Sequence, residues 1–142
     1  MKIIALALAL LSTSALAAGD IVIHRDPGCG CCEKWAAQVR EKFGRTVKVV
    51  NGADRSALHK HLGMPANLVS CHTAIIDGIA FEGHVPIAEM KRVLAAKPKG
   101  VRGLAVAGMP LGSPGMEAPG YKADRYNVIA FGSGKTSIFA RH

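Results

Sequence analysis

The sequence predicts an α/β fold with a cysteine cluster where the first strand meets the first helix. Short β-branched segments alternate with segments whose apolar residues recur at helical spacing. Asp77-Gly78 between two apolar runs is a strong hairpin signal. Three of the four cysteines, Cys29, Cys31 and Cys32, stand at the start of the first predicted helix. The order strand, helix, strand, helix, hairpin, helix is thioredoxin-like when cysteines occupy that first junction.

The N-terminus has the three parts of a secretory signal peptide. Lys2 precedes an apolar run over residues 3–11, and Ala15-Leu16-Ala17 offers the small residues that a signal peptidase reads. The apolar run is too short for a bilayer, which needs about 20 residues. We expect residues 1–17 to be removed and residues 18–142 to form one domain without a transmembrane segment.

The first half of this domain is predicted as strand, helix, strand, helix. Residues 20–24 alternate as a short strand, and apolar residues at helical spacing predict a helix over residues 32–43. The β-branched run 46–50 predicts a second strand. A short second helix is expected between Asp54, as its N-cap, and Gly63.

The second half contains the hairpin and an unusual C-terminal extension. Residues 73–81 form the hairpin, and a third helix follows over residues 86–97. Residues 100–121 are rich in Gly, Pro and Met, which predicts a long ordered loop or a disordered tail. The apolar runs 126–131 and 136–139 then predict a second hairpin, so the fold carries an additional C-terminal loop and β-hairpin.

The charge balance excludes some partners. The chain has 18 Lys and Arg against 10 Asp and Glu, a formal net charge of +8. Nucleic acid is not expected, because the signal peptide predicts export and only 5% of the residues are aromatic, too few for base-stacking platforms. The basic surface suits anionic lipid head groups or an acidic partner. No nucleophile elbow or carboxylate pair indicates hydrolysis.

Cys29-Gly30-Cys31-Cys32 concentrates sulfur at one point of the chain. A helix N-terminus lowers the pKa of thiols, and the resulting thiolates attack disulfides or bind soft metals. Disulfide exchange needs two sulfurs, whereas additional sulfurs suit a thiolate cluster for Cu(I), zinc or iron–sulfur. Two structural disulfides are the alternative, although a Cys31–Cys32 bridge would be strained.

The fourth cysteine, Cys71, is expected beside the other three. Aligning the predicted elements puts residues 70–73 at the loop that faces the cysteines in thioredoxin-like folds. That loop ordinarily carries a cis-proline, which is absent here. Cys71 should therefore face Cys32 despite a separation of about 40 residues.

Methionine favours copper among these metals, and histidine adds a candidate nitrogen ligand. Thioether is a poor zinc ligand and a good Cu(I) ligand, and Met109 and Met116 lie in the Gly/Pro-rich segment. Capping of the core is the alternative role for both. His84 is the preferred nitrogen ligand, because the end of the hairpin faces the same end of the sheet. His59 and His61 are expected to be solvated.

Several motifs together resemble a known family of exported metal-binding proteins, first catalogued as a domain of unknown function, that includes the periplasmic copper-resistance protein CopG. The motifs are Cys29-Gly30-Cys31-Cys32 with Trp35, Gly63-Met64-Pro65, Ser70-Cys71-His72-Thr73, Gly83-His84-Val85-Pro86, Gly103-Leu104-Ala105-Val106, Gly108-Met109-Pro110 and Gly115-Met116-Glu117. The resemblance covers nearly the whole mature chain. It implies a thioredoxin-like fold, a periplasmic location, copper at the cysteine cluster and interconversion of Cu(I) and Cu(II).

Three hypotheses follow for the function. The first is a periplasmic copper-binding protein in which Cys29, Cys31, Cys32 and Cys71 hold Cu(I), with Met109 and His84 completing the site and Met116 as a further candidate ligand. Copper redox would make it an enzyme, and its partners would be copper ions and another periplasmic copper-handling protein. The second is a metal-free thiol-disulfide oxidoreductase with Cys29 as nucleophile and Cys32 as resolving thiol. The third is a disulfide-stapled interaction module.

Overall fold

The computed structural model describes residues 19–52 and 54–142, so the predicted signal peptide at residues 1–17 lies outside the described chain. The strands are β1 Ile21–Arg25, β2 Val47–Asn51, β3 His72–Ile76, β4 Ile79–Glu82, β5 Gly103–Ala105, β6 Asn127–Gly132 and β7 Lys135–Arg141. The helices are α1 Gly30–Phe43, α2 Ser56–Leu62 and α3 Ile87–Ala96, with a short 3₁₀ turn over Ala66–Leu68. No helix among these residues is long and apolar enough to cross a membrane.

One mixed sheet of seven strands, in the order β2-β1-β3-β4-β5-β6-β7, organises the described chain. β1 pairs parallel with β2 and antiparallel with β3, and the β3–β4 hairpin turns at the predicted Asp77-Gly78. Asp77 and Gly78 both have positive φ, 49° and 81°, as a two-residue turn of this kind requires. The second predicted hairpin is also present, as β6 and β7.

The two faces of the sheet carry separate apolar clusters. Trp35 of α1 and Met90 of α3 are fully buried against one face, together with Ala74 and Ile76 of β3. Ile75, between them in sequence, packs with the cluster on the opposite face, as strand alternation requires. Helices α1 and α3 therefore cover one side of the sheet.

Strand β5 corrects the prediction of a loop or tail over residues 100–121. Its three residues are too few to show a period, and pairing with β4 and β6 determines the strand. Gly103 is required there, because a Cβ would come within 2.5 Å of the Ala80 carbonyl oxygen. The segment between β5 and β6 contains neither helix nor strand.

Helix α2 begins slightly later than the predicted cap would place it. Asp54 is the residue before the N-cap and not the N-cap itself, and its Oδ1 accepts a hydrogen bond from the Ser56 N–H at 2.8 Å. Arg55 occupies the capping position without a side-chain hydrogen bond to the helix. Its guanidinium instead points into the protein, where it donates hydrogen bonds to Asp26 and to the Ser70 carbonyl oxygen.

Candidate metal centre

The first helix starts on a cysteine. Cys29 has an extended backbone, and its Sγ accepts a hydrogen bond from the Cys32 N–H at 3.3 Å. This sulfur cap explains why α1 begins at Gly30 and not at Cys32, as the apolar periodicity predicted. Arg25 of β1 holds the same point, since its Nη1 donates to the Cys29 carbonyl oxygen at 3.1 Å.

The structure brings the four cysteines together. Their sulfur atoms all lie within 4.8 Å of one another, so the group could hold a metal ion. Cys71 directly precedes β3, and its carbonyl oxygen accepts a hydrogen bond from the Asp26 N–H at 3.0 Å. Pairing of β1 with β3 thus brings Cys71 to the end of β1, and the other three cysteines follow β1 in the chain.

Two of the four sulfurs are joined by a covalent bond. Cys29 and Cys32 form a disulfide, and Cys31 and Cys71 are free thiols. Cys31 Sγ lies 3.5 Å from Cys29 Sγ. The bridged pair is the C-x-x-C pair, so the arrangement is not the alternative of two structural disulfides. A site of four thiolates requires reduction of this bond by two electrons.

Burial governs the protonation of Cys71. It raises the pKa of this thiol to about 11, although the Ser70 hydroxyl acts in the opposite direction. Cys71 lies outside the N-terminal turn of α1, where Cys29, Cys31 and Cys32 form what we call the cysteine triplet. A metal ion that binds it must therefore displace its proton.

His84 has the geometry of a nitrogen ligand. Its Nδ1 lies 2.8 Å from the Pro114 carbonyl oxygen, and because that oxygen only accepts, Nδ1 carries the proton. The other nitrogen, Nε2, is then the unprotonated one, and it lies 3.6 Å from Cys71 Sγ. Burial lowers the pKa of His84, which keeps the ring neutral. A backbone partner that fixes the tautomer is typical of metal-binding histidines.

His72 is a site residue that the sequence analysis did not select. Its ring is fully buried between Trp35 and His84, with centroids 4.5 and 5.0 Å away. Burial lowers its pKa to about 3, and Nε2 has no hydrogen-bond partner within the described chain. Cys71, His72 and His84 form a second group whose ligand atoms lie within 4.8 Å of one another. The sequence signals for His72 were its position beside Cys71 and its place in the motif Ser70-Cys71-His72-Thr73.

The segment that contains the two candidate methionines lies against the site. The Gly108 carbonyl oxygen accepts a hydrogen bond from Ser70 Oγ at 2.9 Å, and the next residue, Met109, is 55% exposed. Gly115 has a φ of +85°, and a Cβ there would lie 2.7 Å from the Cys31 carbonyl oxygen. Met116, which follows it, is half-buried. The segment thus contacts both the triplet and the Cys71 loop.

A buried polar network lies behind Cys71. Glu82 is fully buried, and its Oε1 and Oε2 accept hydrogen bonds from the Ser70 N–H at 2.6 Å and the Thr73 hydroxyl at 2.5 Å. Burial raises the pKa of Glu82 to about 7. Arg55 Nη2 donates to the Ser70 carbonyl oxygen at 2.9 Å and to Asp26 at 2.8 Å.

His59 joins this network, which corrects the expectation that it is solvated. Its Nε2 lies 3.0 Å from Thr73 Oγ1 and 3.4 Å from Glu82 Oε2. Burial is the main cause of a lowered pKa for His59. His61 is exposed, as expected. The helical pattern alone could not show that one face of α2 covers buried polar groups of β3 and β4.

The chain resembles solved structures over nearly its whole length. Copper resistance protein copG, form 1, is 41% identical with a TM-score of 0.78, and the match covers 89% of this chain and 98% of that one. Form 2 of the same protein is 42% identical with a TM-score of 0.76, covering 87% and 97%.

A family model adds to this result. Residues 68–116, which include Cys71, His84, Met109 and Met116, match the family described as a protein of unknown function, DUF411. No curated protein sequence matches the chain. Both solved structures are named as copper resistance proteins. The chain therefore belongs to the DUF411 family that includes the copper resistance protein CopG.

Proposed function

We propose that this protein is a periplasmic copper-binding protein with a thioredoxin-like scaffold, which holds Cu(I) at Cys29, Cys31, Cys32 and Cys71. The observation that carries the proposal is the convergence of all four sulfurs within 4.8 Å. Thiolate is the donor that soft Cu(I) prefers. The names of the similar solved structures, which are copper resistance proteins, support copper over other soft metals.

Neighbouring groups complete the proposed ligand set. The unprotonated Nε2 of His84 offers a neutral donor on the Cys71 side. Met109 and Met116 offer thioethers from a segment that already contacts Ser70 and Cys31. Cysteine and histidine alone would suit zinc as well as Cu(I). The added thioether donors favour Cu(I) over zinc.

The Cys29–Cys32 pair can supply electrons as a dithiol and accept them as a disulfide, and we include this interconversion of Cu(I) and Cu(II) in the proposal. When the two thiols of Cys29 and Cys32 become a disulfide, they release two protons and two electrons. Two Cu(II) ions that take one electron each become two Cu(I) ions. The reverse reaction reduces the disulfide and oxidises two Cu(I) ions. Cys29 and Cys32 would be the redox pair, with copper ions as the substrate.

Location and partners follow from the same proposal. The signal peptide would direct the protein to the periplasm, where thiols are oxidised unless a metal or a reductant holds them. Without Lys2 the mature chain has 17 Lys and Arg against 10 Asp and Glu, and its net charge of +7 suits an acidic periplasmic copper-handling protein as the copper donor or acceptor.

Competition of the reduced protein against a Cu(I) chelator tests this function. Cys29→Ser should weaken binding by more than the roughly 10- to 100-fold that the loss of an outer partner costs. Met109→Leu should have a smaller effect, because thioether is neutral and weaker than thiolate. Lys135→Ala, at the start of the edge strand β7, should have none. Equal affinities of the wild type and Cys29→Ser would overturn the proposal.

A metal-free thiol-disulfide oxidoreductase is the second candidate. The disulfide between Cys29 and Cys32 at a helix N-terminus favours it. It would use Cys29 as nucleophile and Cys32 as resolving thiol. If Cys29→Ser binds Cu(I) as well as the wild type does, and the reduced wild type reduces a disulfide substrate rapidly at neutral pH, this second function replaces the first.

A further inference from the structure

We propose that Arg55 and Glu82 are positioning residues that hold Cys71 against the cysteine triplet. Among the described residues, neither side chain hydrogen-bonds to a cysteine sulfur. The pair acts on the backbone of Ser70, the residue directly before Cys71. The copper part of this proposal rests on the proposed function, whereas the positioning itself can be tested without metal.

The two side chains hold both backbone groups of Ser70. The Ser70 N–H donates to Glu82 Oε1 at 2.6 Å, and the Ser70 carbonyl oxygen accepts from Arg55 Nη2 at 2.9 Å. The Cys71 carbonyl oxygen accepts from the Asp26 N–H at 3.0 Å. Three backbone groups of Ser70 and Cys71 are thus fixed, which leaves rotation about χ1 as the main freedom of the Cys71 sulfur.

These contacts replace a strand ladder that does not reach this far. Pairing of β1 with β3 begins at Arg25 and His72, so Ser70 and Cys71 lie beyond it. Buried backbone groups outside a ladder need other partners. The pair also holds the start of β3, because Glu82 Oε2 accepts from the Thr73 hydroxyl at 2.5 Å.

Energetics favour a role in geometry over a role in stability. Glu82 is fully buried, Arg55 is 9% exposed, and their closest charged atoms lie 3.4 Å apart. Desolvation offsets most of the attraction in a buried ion pair, so such a pair is a weak source of stability. Its hydrogen bonds converge on residues that flank Cys71, where a displaced sulfur would cost metal affinity.

Four variants test the proposal. Glu82→Leu removes the acceptor for Ser70, while Glu82→Gln retains an oxygen that can accept from the same N–H. Arg55→Lys keeps the charge but cannot reach Ser70 and Asp26 with a planar fork. The matched control is Arg45→Met, which breaks the pair with Asp77 in the β3–β4 turn, at the opposite end of β3 from Cys71.

The metal-free measurement uses the oxidised protein, in which Cys31 and Cys71 are the two free thiols. Dibromobimane, which fluoresces after alkylating two neighbouring thiols, reports whether these sulfurs stay close. Glu82→Leu and Arg55→Lys should slow the second alkylation by about tenfold or more, since small displacements carry such costs. Glu82→Gln and Arg45→Met should remain within about threefold of the wild type, a margin well below that cost.

The copper measurement asks whether the pair acts through Cys71. Glu82→Leu and Arg55→Lys should weaken Cu(I) binding about 10- to 100-fold, as the loss of an outer partner does. In a Cys71→Ser background the same changes should cost almost nothing more, because the positioned sulfur is gone. Circular dichroism checks folding, and if Glu82→Leu does not fold, Arg55→Lys decides.

Rates and affinities unchanged in Arg55→Lys and in a folded Glu82→Leu would overturn the inference. So would an equal loss in Arg45→Met, or an undiminished loss in the Cys71→Ser background. The two proposals fail separately. A wild type that does not bind Cu(I) would end the proposed function, while the alkylation rates would still decide whether Arg55 and Glu82 position Cys71.

Discussion

The position of His84 could be predicted from the sequence, whereas the environment of His72 could not. His84 follows a hairpin that alternation and Asp77-Gly78 predict, so its end of the sheet could be inferred. His72 has its environment from Trp35, whose ring packs 4.5 Å away and comes from another element. Contacts of that kind leave no periodic signal in the sequence.

The buried His72 ring predicts a pH dependence of stability. Its pKa is about 3 in the folded protein against 6.5 for an ordinary histidine, so below pH 6.5 the unfolded chain binds more protons. Stability from this group is complete above pH 6.5 and falls as the pH falls. Relative to His72→Leu, the wild type should lose about 1.4 kcal/mol of unfolding free energy per pH unit.

Urea unfolding of the metal-free protein at several pH values between 4 and 7 would measure this difference. Leucine suits the comparison because the His72 ring is fully buried and its Nε2 has no hydrogen-bond partner in the described chain. Parallel curves for the two proteins would show that His72 is protonated in the folded state, contrary to the account.

At the scale of elements, the segment between β5 and β6 depends on a close approach to α1. A Cβ at Gly115 would lie 2.7 Å from the Cys31 carbonyl oxygen and 3.0 Å from the Trp35 nitrogen. Both are backbone atoms of the helix that carries the triplet. The segment can therefore approach the cysteine cluster this closely only because residue 115 is a glycine, which has no side chain.

Gly115→Ala should therefore destabilise the protein by more than its backbone conformation alone explains. Gly120→Ala is the matched control, since Gly120 has nearly the same φ, +86° against +85°, and open space around it. The control should cost about 1 kcal/mol, and Gly115→Ala at least about 2 kcal/mol. Thermal or urea unfolding measures both. Equal costs would mean that the segment does not need this contact.

Local patterns predicted most elements but not all of them. The hairpin at Asp77-Gly78, helix α1 and the second hairpin each have turn or periodic signals of their own. Strand β5 has none, because three residues become a strand only by lying between β4 and β6. The Arg55–Glu82 pair was missed for a related reason, since it joins residues 27 positions apart.

At the scale of the whole molecule, the cysteine triplet could be predicted from spacing, and Cys71 only from topology. Pairing of β1 with β3 turns a separation of 39 residues into contact between Cys32 Sγ and the Cys71 carbonyl oxygen at 3.7 Å. The disulfide and the tautomer of His84 could not be inferred from spacing, because both depend on atomic positions. The identity of the metal was predicted from the chemistry of the donor atoms and not from spacing.

Export is the prediction that concerns the whole chain. Because Ala15-Leu16-Ala17 offers small residues at the positions that a signal peptidase reads, cleavage should follow Ala17. N-terminal sequencing of protein recovered from the periplasm should therefore begin at Ala18. A mature protein that retains Met1 would contradict the export and the oxidising surroundings that the redox argument assumes.

X-ray absorption spectroscopy of the reduced protein loaded with Cu(I) tests the central claim most directly, because it reads the atoms bound to copper. The account predicts a first shell dominated by sulfur, since four thiols converge within 4.8 Å. The sulfur contribution should fall in a Cys29→Ser, Cys71→Ser double variant. A first shell of nitrogen and oxygen, or a spectrum unchanged in that variant, would contradict a copper site built on these cysteines.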